Sequence, residues 1–305
     1  MAENDFDVVT GASGYTGRYI TRALLSRGRR VKTLTGHPTR PSPFGDQIEA
    51  MPFNFDRPDD LKRSLEGARA LFNTYWIRFP YAGQTFDTAV ANTRVMLDAA
   101  TAAGVRKFVH ISVTNATESS PLPYFHGKAM VEAAIKESAL TYAIIRPALI
   151  FGVEDILLNN IAWLLRRFPF FAIPGRGDCR VQPIFAGDLG EIAANAARDD
   201  HSATFDAVGP EIFTFDELVR MIASAVHSKS RIVHVDPRIA VALAWIVGWF
   251  VGDVTLTLDE ARGLMSNLLV TDSPPNAQTR FSEWLRINAD KIGTAYASEL
   301  ARHFR

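Results

Sequence analysis

The stretch "VVTGASGYTGRYITRALLSRG", Val8 to Gly28, decides how the rest of the chain is read. An apolar, β-branched run ends at Thr10, glycines follow at 11, 14 and 17, and a helix-forming segment then runs on to Gly28. A turn that leaves a buried strand and opens a helix at once presents free backbone N–H groups and the positive end of the helix dipole. Glycines in such a turn meet three needs: a tight bend, close approach of a pyrophosphate to the backbone, and close packing of helix on strand. The stretch therefore predicts a dinucleotide-binding turn. It is built on Gly11, Gly14 and Gly17, with Ser13, Tyr15 and Thr16 between them and Arg18 just after.

The text that follows keeps the same rhythm. Short apolar runs at 30–35, 68–75, 106–113 and 140–146 read as buried parallel strands. Between them "DDLKRSLEG", "TFDTAVANTRVMLDAATAAG" and "YFHGKAMVEAAIKES" read as helices, the first two closed by Gly67 and Gly104. Parallel strands need crossover helices, so the order implies an α/β fold, a doubly wound parallel sheet of the Rossmann kind. Residues 1–150 are expected to form the dinucleotide-binding domain, with 181–209 rejoining it. Residues 151–305 are expected to form a smaller, mainly helical substrate or lid region. Helices are predicted there at 237–251, 257–268 and 288–304, and Thr214 and Glu217 stand at capping-box spacing.

Composition narrows the class of function. With 33 basic and 33 acidic residues among 305, the chain has no excess positive field for a phosphate backbone, and nucleic acid is excluded as an expected partner. Cys179 is the single cysteine, which rules out an internal disulfide and fits a reducing compartment, read as the cytoplasm. The N-terminal "MAENDFDVVTG" has neither a basic n-region nor a long apolar h-region, so no secretory signal is expected. The histidines show no ligand spacing with carboxylates, and no metal site is expected. The apolar "IAVALAWIVGWFV" (239–251) is too short to span a bilayer, which takes about 20 residues. It reads as a buried helix or a greasy substrate wall, with peripheral membrane contact as the alternative. A small-molecule substrate is the expected partner, and a homodimer is left open.

"TGASGYTG" (10–17) resembles the T-G-x-x-G-x-x-G motif of the extended and atypical short-chain dehydrogenase/reductases, the epimerase/dehydratase group. The resemblance implies a catalytic Tyr-x-x-x-Lys after the fifth strand, and "YFHGK" supplies Tyr124 and Lys128. Tyr124, Lys128, Val131 and Ile135 fall on one helix stripe, marked as buried by its two aliphatic members. A lysine there needs a partner. In the family that lysine holds the nicotinamide ribose and lowers the tyrosine pKa from about 10, making the tyrosine the acid/base. The resemblance also implies an orienting Ser or Thr at the end of the fifth strand. Ser112 and Thr114 are the candidates, Thr114 aligning better, and Asn115 is within reach.

Cofactor choice is read at the end of the second strand, where an acid would accept from the ribose 2′-hydroxyl. "TLTGHPTR" has none before Asp46, whereas His37, Arg40 and Arg18 could meet a 2′-phosphate, so NADP is favoured over NAD. Asp56 resembles the family aspartate near the adenine, with a helix cap as its plain reading. Pro147, in the "RP" shared with the sugar-nucleotide epimerases, completes the cofactor set.

On "YFHGKAMVEAAIKESALTYAIIRPALIFGVEDILLNNIA" (124–162), "QPIFAGDLGEIAANA" and "FDAVGPEIFTFDELVRMI", the chain resembles the nucleotide-binding accessory subunit of respiratory complex I and its bacterial atypical relatives, a resemblance that covers most of the chain to about residue 222. Two readings follow. One is an NAD(P)-dependent oxidoreductase or epimerase, and the other is a non-catalytic NADP(H) sensor or complex-stabilising protein. Trp163, Phe168, Phe170, Phe171, Trp245, Trp249 and Phe250 lead us to expect an apolar or aromatic substrate, against the plainer view that they fill a core.

Overall fold

The computed structural model describes residues 5–303. In chain order the first elements are β1 (Phe6–Thr10), α1 (Tyr15–Ser26), β2 (Arg30–Thr35), β3 (Ile48–Pro52), α2 (Pro58–Leu65), β4 (Ala68–Asn73), α3 (Phe86–Ala102), β5 (Lys107–Ile111), α4 (Pro123–Glu137) and β6 (Thr141–Pro147). Next come β7 (Leu149–Phe151), α5 (Ile156–Arg167), β8 (Phe170–Pro174), β9 (Arg180–Val181), β10 (Pro183–Phe185), α6 (Ala186–Ala196) and β11 (Ala203–Ala207). The chain closes with β12 (Phe213–Thr214), α7 (Phe215–Ala225), β13 (Arg231–Val235), α8 (Pro237–Val251), α9 (Leu258–Met265), α10 (Phe281–Asn288) and α11 (Glu299–His303).

These elements divide into two compact units. The first runs to Pro147 and resumes over Ala186–Ala207; the second comprises Ala148–Phe185 and the chain from Val208 onward. The first unit holds a seven-stranded sheet in the order β11-β6-β5-β4-β1-β2-β3, parallel throughout. This is the doubly wound sheet that the alternating strands and helices predict. Its strands β1 and β5 are buried along their whole length because helices cover both faces, which is why they read as mainly apolar runs, broken only by polar residues such as Asp7, Lys107 and His110. Val8, Leu34, Leu71, Met96, Phe108, Val131, Ile135 and Ile144 meet in its core. Strand β3 escaped the sequence analysis because "IEAMP" sits at the sheet edge with two of its five residues buried.

The second unit contains more strand than its sequence led us to expect. Parallel ladders β7–β10 and β8–β13 and the antiparallel pair β9–β12 accompany the helices. Phe151, Leu165, Ile173, Phe215, Ile222, Phe281, Trp284 and Ile292 form its core. Of the 181–209 segment, residues 181–185 belong here in β9 and β10, while α6 and β11 belong to the first unit, β11 extending its sheet beside β6. Of the helix expected over 288–304, residue 304 lies outside the described residues, and from 288 to 303 the chain is not one continuous helix. Gly293 turns the chain at φ +65°, and side chains of α5 take up the freed backbone groups. Asn159 accepts from the Gly293 N–H, Asn160 from the Ala297 N–H, and Arg166 and Arg167 donate to the carbonyls of Ala289, Ile292, Gly293 and Thr294.

The expectation of a buried helix at 239–251 is also corrected. Of α8, Ala240 and Gly248 are buried, while Trp245, Trp249 and Phe250 are 72%, 72% and 75% exposed. Only small residues fit the side of α8 turned to the protein: a Cβ on Gly248 would meet the Asp253 carbonyl.

Candidate cofactor site

All seven strands end at one edge of the sheet, and the strand order reverses between β1 and β4, where doubly wound folds bind their ligands. Thr74, just past β4, stitches the two strand ends together. Its N–H donates to Thr10 Oγ1 at 2.7 Å and its hydroxyl to the Thr10 carbonyl at 2.5 Å.

The glycine turn lies over this point. Gly11 takes φ +63°, a conformation that side chains disfavour, and its N–H donates to the Leu34 carbonyl at 2.8 Å. The Gly14 N–H bonds back to the Gly11 carbonyl at 2.8 Å, and a Cβ on Gly17 would collide with that same carbonyl. Thr33 pins the turn to β2: it accepts from the Ala12 N–H at 3.0 Å and donates to the Val9 carbonyl at 2.8 Å. Helix α1 then opens at Tyr15 with no side-chain cap on Gly14 and no acid in its first turn. Neither device that normally answers the positive helix end is present, and the bare backbone fits a dinucleotide phosphate. Ser13 is exposed on the turn, and Arg18 reaches back to its carbonyl at 3.1 Å. Tyr15 and Thr16 lie in the first turn of α1, where the Tyr15 ring meets Tyr19 edge-on.

Beyond β2, residues 36–40 form an exposed turn. The Arg40 N–H bonds to the His37 carbonyl at 3.1 Å, bringing His37 and Arg40 onto one loop at the strand end. Asp56 is exposed in the loop before α2, whose N-cap position is Arg57, so the simple capping role does not hold. Around that loop Phe53, Phe55 and Tyr75 pack together at 4.9 to 5.2 Å between ring centroids.

At the ends of β5 and β6 the sequence candidates separate into different environments. Ser112 donates to the buried Glu132 carboxylate at 2.6 Å, and Glu132 also takes both forks of Arg146. That hydroxyl is committed to holding α4 against the sheet. Thr114 is buried two residues on, its N–H bonded to the Pro147 carbonyl at 3.0 Å, so Thr114 and Pro147 are held together at the edge. Asn115 follows at φ +58°.

Lys128 is buried, as its stripe predicts. Its ammonium donates to the Ile111 carbonyl at 2.7 Å and lies 4.7 Å from the centre of the Trp76 ring. Burial brings its pKa down to about 7, with the Glu132 charge pulling the other way. Tyr124 is half-buried one turn earlier, edge-on to Trp76 and to Phe86 with centroids 6.1 Å away in both cases. Tyr124 and Lys128 thus flank one indole.

Two further residues were not singled out from sequence. Trp76, one residue past the strand read at 68–75, contacts both site residues, and its buried indole nitrogen has no hydrogen-bond partner. His110 is fully buried on β5. Asn73 Oδ1 accepts from the Tyr75 N–H at 3.0 Å, so the Asn73 amide nitrogen, 3.2 Å from His110 Nδ1, is the donor there. This leaves the imidazole proton on Nε2, also without a partner. Burial, then the Lys128 charge, holds the His110 pKa well below its ordinary value, so the ring is neutral. The sequence signal for both was slight: polar or aromatic residues ending apolar strands. Among the described residues no group of three or more His, Cys, Asp or Glu could hold a metal ion.

The fold and its turn define a Rossmann-type dinucleotide-binding protein. Residues 11–153 match the family of NAD(P)H-binding domains, and the fold is similar to that of solved epimerases and reductases. It is similar to the mitochondrial NADH dehydrogenase [ubiquinone] 1 alpha subcomplex subunit 9 of Arabidopsis thaliana, 27% identical over 87% of this chain and 71% of the relative. It spans 65% of the Dictyostelium discoideum relative, 65% of the Neurospora crassa one and 60% of the mouse one. Among solved structures the fold matches the Citrobacter sp. triphenylmethane reductase, with TM-score 0.76 and 18% identity over 93% of this chain and 99% of that one. The same reductase has been solved with NADP(H), and MoeE5, solved with UDP-glucose and NAD, matches at TM-score 0.69 and 20% identity over 94% and 98% of the two chains. Among the described residues no helix is long and apolar enough to cross a membrane.

Proposed function

We propose that the chain is an NADP(H)-dependent oxidoreductase or epimerase of the short-chain dehydrogenase/reductase type, acting on a small, apolar carbonyl or alcohol in a reducing compartment such as the cytoplasm. The observation that carries this is the pairing of Tyr124 with a buried Lys128 whose pKa lies near 7, on one helix at the edge where the glycine turn opens. A dinucleotide held by its pyrophosphate at that turn would supply the hydride-transfer chemistry of its nicotinamide. Gly11, Gly14 and Gly17 would admit the phosphates to the backbone, with Ser13, Tyr15 and Thr16 around them. His37 and Arg40, with Arg18, would meet a 2′-phosphate, and Asp56 would lie toward the adenine. Tyr124 would give or take the proton on the substrate oxygen, and Thr114 would orient that oxygen, its neighbour Ser112 being engaged by Glu132. Lys128 would exchange its Ile111 contact for the ribose hydroxyls.

Arg166 and Arg167 spend their donors on backbone carbonyls, which leaves them unsuited to a sugar diphosphate and favours an apolar substrate. The aromatic wall is narrower than its sequence implies, because Phe171 joins the core and Trp245, Trp249 and Phe250 face solvent.

A fluorescence titration should find tighter binding of NADPH than of NADH; equal affinity or the reverse order overturns the cofactor choice. With a panel of aromatic ketones and NADPH, Tyr124→Phe should keep cofactor affinity and lose most turnover, ~10²-fold or more. Wild-type turnover in that variant would sink the acid/base assignment. A second reading, a protein that holds NADP(H) without turning it over, is favoured by the engagement of Lys128 with the Ile111 carbonyl and the Trp76 ring. It is also favoured by the similarity to named subunits of an NADH dehydrogenase. Cofactor binding with no oxidation by any member of the panel would support it.

A further inference from the structure

The outward stripe of α8 is the reverse of what water selects. Exposed positions fall at 238/239, 242/243, 245/246 and 249/250, the spacing of one helix face. A helix packed on one side shows charged residues on the other. Here the outer face presents Ile239, Leu243, Trp245, Ile246, Trp249 and Phe250, and no charged residue occurs from 239 to 251. Phe170, 58% exposed on β8 against which α8 packs, adds to the same region. So large an unbroken apolar stripe marks a site of association.

From its chemistry we infer that α8 seats the protein on the surface of an anionic lipid bilayer, lying in the plane of the headgroups. A 15-residue helix is about 22 Å long, short of the ~30 Å hydrocarbon core, so it can lie in the interface and cannot cross it. The only polar side-chain atoms on the stripe between Ile239 and Phe250 are the two indole nitrogens. A protein partner needs a polar rim with about one hydrogen bond per 100–200 Å². A membrane surface needs only apolar bulk and indoles, which settle at headgroup depth. Charge around the stripe agrees. From residue 227 to 252 the basic side chains are Lys229, Arg231 and Arg238, all exposed, against one acid, Asp236. That acid is used as the N-cap of α8, accepting from the Arg238 N–H at 2.8 Å. Arg231 pairs in register with Phe170, placing a cation beside the exposed ring, and Arg238 stands at the entry of the helix. Basic residues flanking an apolar face are what anionic headgroups attract. The inference does not depend on whether the cofactor site turns over.

Flotation of the intact chain with extruded vesicles tests it, using phosphatidylcholine alone and phosphatidylcholine mixed with phosphatidylglycerol. The wild type should float with the mixed vesicles. The double variant Trp249→Glu, Phe250→Glu should lose ~10-fold or more of that partitioning, since both rings leave the interface. Arg238→Glu should weaken binding to the mixed vesicles and leave the neutral ones unaffected. All these side chains are exposed, so thermal unfolding and NADPH binding should match the wild type and exclude misfolding as the cause. Three results overturn the inference. One is a wild type that stays unbound with both vesicle types, and another is a double variant that floats as well as the wild type. The third is a concentration-dependent dimer in sedimentation velocity that the double variant abolishes, with no lipid bound, which would assign the stripe to a second copy of this chain.

Discussion

Lys128 is where sequence and environment conflict most sharply. Burial holds its amine at about 7 against an ordinary 10.5, so between those pH values the unfolded chain binds a proton at this residue that the folded chain does not. Stability therefore rises with pH across that window, by up to about 1.4 kcal/mol per unit, while below pH 7 both states are protonated and the cost of the buried ammonium is constant. Replacing Lys128 with Met removes the titration. Urea midpoints of the cofactor-free protein should give a wild-type minus Lys128→Met stability difference that climbs from pH 7 toward 10.5. A flat difference would mean that the amine is not depressed. The position of Lys128 was legible because Tyr124, Lys128, Val131 and Ile135 share one helical stripe. Its partners were not. Trp76 comes from the loop after β4 and the Ile111 carbonyl from the end of β5, and the diversion of Ser112 to Glu132 is decided by how α4 meets β5, which no local pattern records.

Elements were legible in proportion to their burial. Strands β1 and β2 fall where their apolar runs predict, and α1 starts inside the glycine turn, because β1 is buried throughout and β2 and α1 each bury an apolar face. Strand β3 was hidden because an edge strand can carry Glu49, paired at 2.9 Å with Lys32, and so lacks an unbroken apolar signature. Residues 288–304 carry helix formers, yet Gly293 and the clasp from α5 override propensity there. Packing outweighs propensity again where α6 crosses α1. Ala in place of Gly stabilises an exposed helix by roughly 1 kcal/mol. At Gly190, however, an added Cβ would stand 2.7 Å from the Tyr19 carbonyl oxygen, a backbone atom that cannot swing aside. Gly190→Ala should therefore destabilise the protein by about 1–3 kcal/mol, seen as a lower unfolding midpoint. An unchanged or raised midpoint would show that α1 and α6 are not so closely opposed.

For the whole molecule, the course of the chain matters more than its two units taken singly. A plain division at residue 150, without the return that the sequence analysis expects of 181–209, leaves α6 and β11 with the other half, although both complete the first unit. Cutting there would expose the backbone edge of β6 and the face of α1 that α6 covers. The fragment 1–150 should aggregate or fail to show a cooperative transition, whereas 1–207 retains every strand of the sheet; size-exclusion chromatography and thermal unfolding of 1–150 check this. A well-behaved, cooperatively melting monomer would count against the need for the returning strand. The same interleaving sets a clock on synthesis. The ribosome must add everything from Ala148 to Ala207 before the sheet can close, several seconds at about 5–20 residues per second. During that interval the nascent chain carries an open strand edge, and any factor that shields it then would raise the yield of native protein without touching its final stability.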